Sequence, residues 1–206
     1  MYKRQPDSFG GNSDCCITIS GGTIRIDASG DGIDSNGDLT VSGGEIYVSG
    51  PTSDSNSALD HDGSATVTGG TVIAAGYSGM TQNFGTDSTQ GSILLTSRST
   101  STETIRVTDA SGSMLAEFTP AKAYNCVIVS TPALKQGGTY TVTMGGESTD
   151  VTLESLIYGS GGMGGGMGGQ PGGNMGTPPD GNGGGRGTPP DGNGGSMGTP
   201  PDGNGG

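Results

Sequence analysis

Three segments of this chain align without a gap: ITISGGTIRI at 17–26, LTVSGGEIYV at 39–48 and ATVTGGTVIA at 65–74, spaced 22 and then 26 residues apart. Repeats with periods of 20–50 residues build stacked arrays, because one unit alone cannot bury its own apolar face. Within each unit apolar and polar residues alternate, which is the period of a strand, and Gly pairs with β-branched neighbours oppose helix. A second motif keeps step with the first, as GIDSNG at 32–37, ALDHDG at 58–63 and GMTQNF at 79–84. Short strands separated by Gly-rich corners predict an all-β fold, a parallel β-helix (solenoid).

Strand residues alternate sides, so the alignment sorts side chains by face. The inward columns are Ile17/Leu39/Ala65, Ile19/Val41/Val67, Ile24/Ile46/Val72, Ile26/Val48/Ala74 and Ile33/Leu59/Met80. The outward columns are Thr18/Thr40/Thr66, a hydroxyl ladder, and Arg25/Tyr47/Ile73. The pairs Gly21-Gly22, Gly43-Gly44 and Gly69-Gly70 fall at corners, where a positive φ is cheap only for glycine.

The repeats account for residues 6–91. From 92 to 158 the strand-like runs SILLTS, TIRVTD, SMLAEF, CVIVS, TYTVTM and VTLESLI lack the Gly-Gly corners and are joined by turns such as DASG and KQGG. They predict an antiparallel β cap over the C-terminal end of the array, with 87–90 as the connection. Residues 159–206 hold 23 of the 45 glycines and no Leu, Ile, Val or Phe, and they repeat GTPPDGNGG three times. That text cannot bury a core and predicts a disordered linker or surface spacer. The opening MYKRQ, residues 1–5, reads as a translated transposon sequencing adapter, which makes the array N-terminally truncated.

The net charge is −12, and Arg25 is the one basic residue between Cys15 and Ser97. This excludes nucleic acid, which needs clustered Lys and Arg, and no apolar run is long enough to span a membrane. Cys15, Cys16 and Cys126 are an odd set that predicts no disulfide framework by itself.

The charge gathers at the second motif. With Ile33 and Leu59 facing in, Asp34 stacks under Asp60 and Asn36 under Asp62, on strands about 4.8 Å apart. The columns extend to Thr81 and Asn83 above and to Asn12 and Asp14 below. Stacked like charges repel and need a compensating ion. Calcium suits the site, with 6–8 oxygen ligands drawn from carboxylates, amides, carbonyls and water. The candidate ligands are Asp31, Asp34, Asn36, Asp60 and Asp62, with Asp38 nearby. Zinc is disfavoured, since His61 is the single histidine and aligns with the opposite face. A carboxylate pair such as Asp34/Asp60 or Asp34/Asp62 is also what a glycosidase uses, but no acid, base and substrate-positioning set accompanies it. Arg25 and Tyr47 form a possible sugar-facing strip, Tyr47 as platform and Arg25 as carboxylate partner.

Taken together, GDGIDSNGDLTVSGG, ALDHDG, GMTQN, FTPAKAY and GGTYTV resemble a family of bacterial secreted carbohydrate-binding domain proteins. The resemblance covers about residues 10–145. It implies a right-handed parallel β-helix like that of pectate lyases, bound calcium, and noncatalytic binding of cellulose and acidic pectic polysaccharides. It carries over to the acidic motif alone: Asp31, Asp34, Asn36, Asp60 and Asp62. It also implies a secreted or cell-surface location. The alternatives are a pectic lyase or inverting glycosidase on the same fold, and a structural adhesin or spacer.

Overall fold

The computed structural model describes residues 15–159. The adapter-like start, Asn12 and Asp14 and the Gly/Pro-rich tail lie outside them. The described chain is all-β, with twelve strands in three sheets. Among the described residues no helix is long and apolar enough to cross a membrane.

The repeats form β1 (Cys16–Asp27), β3 (Asp38–Ser49) and β5 (Ala65–Gly76), and the second motif forms β2 (Ile33–Ser35) and β4 (Leu59–His61). β1, β3 and β5 pair in parallel in the register the repeats give: Ile17↔Leu39↔Ala65, Ile19↔Val41↔Val67, Ile24↔Ile46↔Val72 and Ile26↔Val48↔Ala74. β2 and β4 pair in parallel as a separate two-stranded sheet. The inward columns form one apolar cluster, fully buried at Leu39, Ile46 and Val48 but only partly buried at Ile17, Ile24 and Ile26, on the outermost strand. Met80 is half-buried rather than the top of its column.

Each Gly pair coincides with a register shift between strands. Gly22, Gly44 and Gly70 have φ of 85°, 96° and 85°. A Cβ at Gly44 would also lie 2.9 Å from the Gly22 carbonyl oxygen and 3.0 Å from the Gly21 carbonyl carbon. Gly44→Ala is therefore expected to cost about 2–3 kcal/mol, from left-handed strain plus a backbone contact that cannot yield. A urea melt checks it. A loss under 0.5 kcal/mol, the ordinary range for a surface change, would contradict it.

The remaining strands are β6 (Ser92–Ser101), β7 (Ile105–Asp109), β8 (Met114–Phe118), β9 (Tyr124–Ser130), β10 (Thr139–Met144), β11 (Glu147–Thr152) and β12 (Ile157–Tyr158). β9 runs antiparallel to both β5 and β6, and β12 is parallel to β6, so the six-stranded sheet β1-β3-β5-β9-β6-β12 is mixed. β9 closes only residues 72–76 of β5. Residues 85–90 close its other half: Gly85 N donates to Ala65 O, Gln90 N to Val67 O, and Ser88 Oγ accepts from Val67 N. The expected connection is thus part of the sheet's edge.

The four-stranded antiparallel sheet β11-β10-β7-β8 supplies a second core. Its Ile105, Val107, Tyr140 and Val142 cluster with Ile73, Ala75, Ile93, Val127 and Val129 on the outward face of the large sheet. The region after residue 91 does two things: β9 and β6 continue the sheet, and β7, β8, β10 and β11 cover its flank.

Candidate functional site

The acidic site begins with glycine. A side chain at Gly32 would collide with Ala58 O and the Val48 side chain, so this backbone sits against the next repeat as only glycine can. Gly32 N donates to Ser57 O and Ile33 N to Ala58 O, and further along Asp62 N donates to Ser35 O and Gly63 N to Gly37 O. These bonds lock the loops of successive repeats together. Ile33, Ser35 and Leu59 are buried, which turns Asp34 and Asp60 outward as an in-register pair.

Asp31 and Asp38 play a different part. Asp31 Oδ1 accepts from Ser57 N at 2.7 Å and Asp38 Oδ1 from Ser64 N at 2.8 Å, each reaching 26 residues ahead. Both carboxylates cap the backbone of the following repeat, so each has one oxygen already engaged. Asn36 and Asp62 are exposed.

The upper extension of the column differs from the sequence expectation. Thr81 and Asn83 are buried, and Gln82 stands above Asp60, its Nε2 donating to Asp60 Oδ1 at 3.2 Å. Gln82, one residue on from the expected Thr81, is the side chain that meets the Asp34/Asp60 pair. Thr81 Oγ1 turns back to Tyr77 O, and Asn83 is drawn in by four hydrogen bonds, with the distant Tyr158 O and Gly159 O and with Phe84 N and Ser92 Oγ.

Partial burial pushes the Asp34 carboxyl above its ordinary value, with Asp31 and Asp62 adding repulsion. Burial does the same for Asp60, joined by Asp31, Asp34 and Asp62 and opposed by the His61 backbone N–H. Between 3.8 and these raised values the native chain holds more protons than the unfolded one. Stability therefore falls as pH rises through that window, and the loss persists above it. Asp60→Asn, which keeps an acceptor for Gln82, is expected to raise the melting temperature at pH 7 in EDTA and to leave it unchanged at pH 3. A lower melting temperature for the variant at pH 7 in EDTA would contradict this.

Among the described residues no group of three or more His, Cys, Asp or Glu side chains is placed to hold a metal ion as it stands. The oxygen-only donors and the uncompensated repulsion at Asp34 and Asp60 do match the chemistry of a hard cation. His61 points away from the pair. Its Nδ1 lies 2.8 Å from Gly63 O and its Nε2 is buried without a hydrogen-bond partner.

Arg25 and Tyr47 do meet, with Arg25 Cζ 4.4 Å from the Tyr47 ring centroid. Tyr47 is half-buried and packs on Phe118 of β8 at 5.2 Å, and Ile73 is fully buried. The column is therefore covered by the four-stranded sheet for most of its height, and only Arg25 is exposed. An apolar residue in an outward column, Ile73, was the signal that something covers it. Cys126 is buried, which pushes its thiol up to about 12 and leaves it inert at neutral pH. Comparison with protein-family models, curated proteins and solved structures found no match.

Proposed function

We propose that this chain is a noncatalytic carbohydrate-binding protein built on a right-handed parallel β-helix, secreted or held at the cell surface. In this reading β1 to β5 are its coils, the strands after residue 91 are its cap, and calcium joins it to an acidic, pectic polysaccharide. The observation that carries the reading is the in-register Asp34/Asp60 pair, both raised in pKa with no basic side chain among the causes. Asp34 and Asp60 would hold the ion directly, with Asp62, Asn36 and the free oxygen of Asp31 at its margin. The ion would supply a coordination position for a uronate carboxylate, which an acidic protein cannot otherwise attract. Arg25, stiffened by its stack on Tyr47, would meet a second carboxylate at the sheet flank.

Binding is favoured over hydrolysis because no acid, base and substrate-positioning set accompanies the pair: the His61 ring is engaged with Gly63 O, and Arg25 lies on the Tyr47 ring at the sheet flank.

The test is retention of the full chain on polygalacturonate, with and without EDTA, while reducing and unsaturated ends are monitored. Retention lost in EDTA and restored by calcium is the expected result, with no product above background. Retention indifferent to EDTA would remove the calcium bridge, and product formation would replace binding with catalysis. In calcium the effect of Asp60→Asn should also change sign and lower the melting temperature, because a ligand is then lost.

A further inference from the structure

Among the described residues β1 is the outermost strand of the six-stranded sheet. Its Ile17, Ile24 and Ile26 are partly buried, where Leu39, Ile46 and Val48 in the same columns are fully buried. The opposite end of the stack is closed by β9 and residues 85–90, so it cannot receive β1 of another molecule. A strand one 22-residue step ahead of β1 would start before residue 1, so the fourteen residues preceding Cys15 do not contain one. From Cys16 to Asp27 there is no Pro, no Lys and no inward charge, the devices that ordinarily keep a strand edge from pairing.

The backbone and the side chains of this edge fit the same partner. Asp38 N donates to Cys15 O and Ala28 N to Ser49 O, which turns the backbone groups of residues 17, 19, 24 and 26 toward β3. Those of Cys16, Thr18, Arg25 and Asp27 then face the other way. The Gly pair shifts the inward side chains from odd to even positions, Ile17 and Ile19 before it and Ile24 and Ile26 after it. The strand therefore reads the same in both directions. Laid antiparallel on a second copy, Ile17 meets Ile26 and Ile19 meets Ile24, while Thr18 faces Arg25 and Cys16 faces Asp27. Only this register engages all four isoleucines. Its hydrogen-bonded pairs, 16/27 and 18/25, are the residues whose backbone groups face away from β3. It opposes no like charges, and Asp27 is already paired with Lys122 Nζ at 2.7 Å.

Gly21 is a second, independent observation. At its equivalents Gly43 and Gly69 a Cβ would collide with Ser20 O and Ser42 O, the backbone of the preceding repeat. At Gly21 a Cβ would meet nothing within 4 Å, and its φ lies outside the left-handed region. A backbone laid along the edge of β1 gives this glycine the steric cause that the others have. We propose that β1 pairs antiparallel with β1 of a second copy of this chain, about a two-fold axis at the Gly pair, in a closed dimer. The proposal does not depend on calcium or on the acidic pair.

The experiment is sedimentation of the full chain across the micromolar range, in EDTA and dithiothreitol. A mass that rises from one chain to two, and no further, is expected. Thr18→Pro removes a backbone N–H that faces the edge and leaves the bonds to β3 in place. Gly21→Ala puts a Cβ where the second copy's backbone would lie. Each is expected to raise the dissociation constant at least about tenfold while keeping the native melting temperature at the lowest concentration. If Thr18→Pro melts early, Gly21→Ala carries the test. Oxidative cross-linking in a Cys15→Ser/Cys16→Ser background reads the register. Thr18→Cys with Arg25→Cys is expected to give covalent dimers, and Thr18→Cys alone none, because the two copies of residue 18 stand roughly 20 Å apart along the strands. A single chain at every concentration would overturn the proposal, whether residues 1–14 or water cover the edge. So would a dimer that both folded variants retain, masses beyond two chains, or cross-linking by Thr18→Cys alone as strong as by the pair.

Discussion

Asn83→Asp is expected to lower stability by about 3–5 kcal/mol at neutral pH, the cost of a buried charge left without a partner. Asn83 is 8% exposed. Its Nδ2 donates to Tyr158 O and Gly159 O, each at 2.9 Å, while Oδ1 accepts from Ser92 Oγ at 2.7 Å and Phe84 N at 2.8 Å. An aspartate turns the double donor into an oxygen facing two carbonyls. Protonation repairs one of these contacts at most, so the new carboxyl has a raised pKa in the native chain. The variant should accordingly regain stability as pH falls, opposite in sign to a salt-bridged carboxylate. Asn83→Ala, which leaves vacant partners and no charge, should cost about 2–3 kcal/mol and show no such pH dependence. Urea melts at pH 7 and pH 4 distinguish the two. An aspartate variant as stable as the native chain at pH 7 would mean that Asn83 does not tie residues 158 and 159 to the repeats.

Ile46→Ala is expected to cost about 3–4 kcal/mol, and Ile24→Ala, in the same column, about 1–2 kcal/mol. Ile46 is fully buried between Ile24 and Val72. Among the described residues Ile24 lies on the outermost strand, with a paired neighbour on one side, and it is partly buried. The chemistry of the two substitutions is identical, so the difference measures stacking alone. Against a total stability of about 5–15 kcal/mol, the central substitution should move the unfolding midpoint visibly. Equal losses at the two positions would contradict the parallel order of the strands.

Register was the most legible part of this fold. Each apolar residue of 17–26 names its neighbour in 39–48 and 65–74, because a slip of one residue would turn every column inside out. The acidic pair was legible for the same reason, since Asp34↔Asp60 follows from Ile33↔Leu59. Two things were not. Gln82 takes the place expected of Thr81 because the partners of Asn83 include Tyr158 and Gly159, 75 and 76 residues away, and no local pattern carries that distance. What covers Tyr47 and Ile73 was also hidden: the apolar Ile73 signals a cover, but alternation says which way a side chain points and not which strands meet it. Asp31 and Asp38 read as charge, yet their reach of 26 residues to Ser57 N and Ser64 N makes each a clasp between repeats.

The closure of β5 has a consequence for how such a chain can change length. Beyond β5 the strand direction reverses at β9, and residues 85–90 occupy the rest of that edge. No further parallel unit can be added there without displacing both. An added unit fits in the interior, where a copy of residues 39–64 would begin on the backbone that β3 presents and end on the backbone that β5 expects. Tandem duplication at that point lengthens the stack by one step, and with it both the Thr18/Thr40/Thr66 row and the acidic column, while the termination stays intact. The number of units is thus adjustable independently of how the array ends.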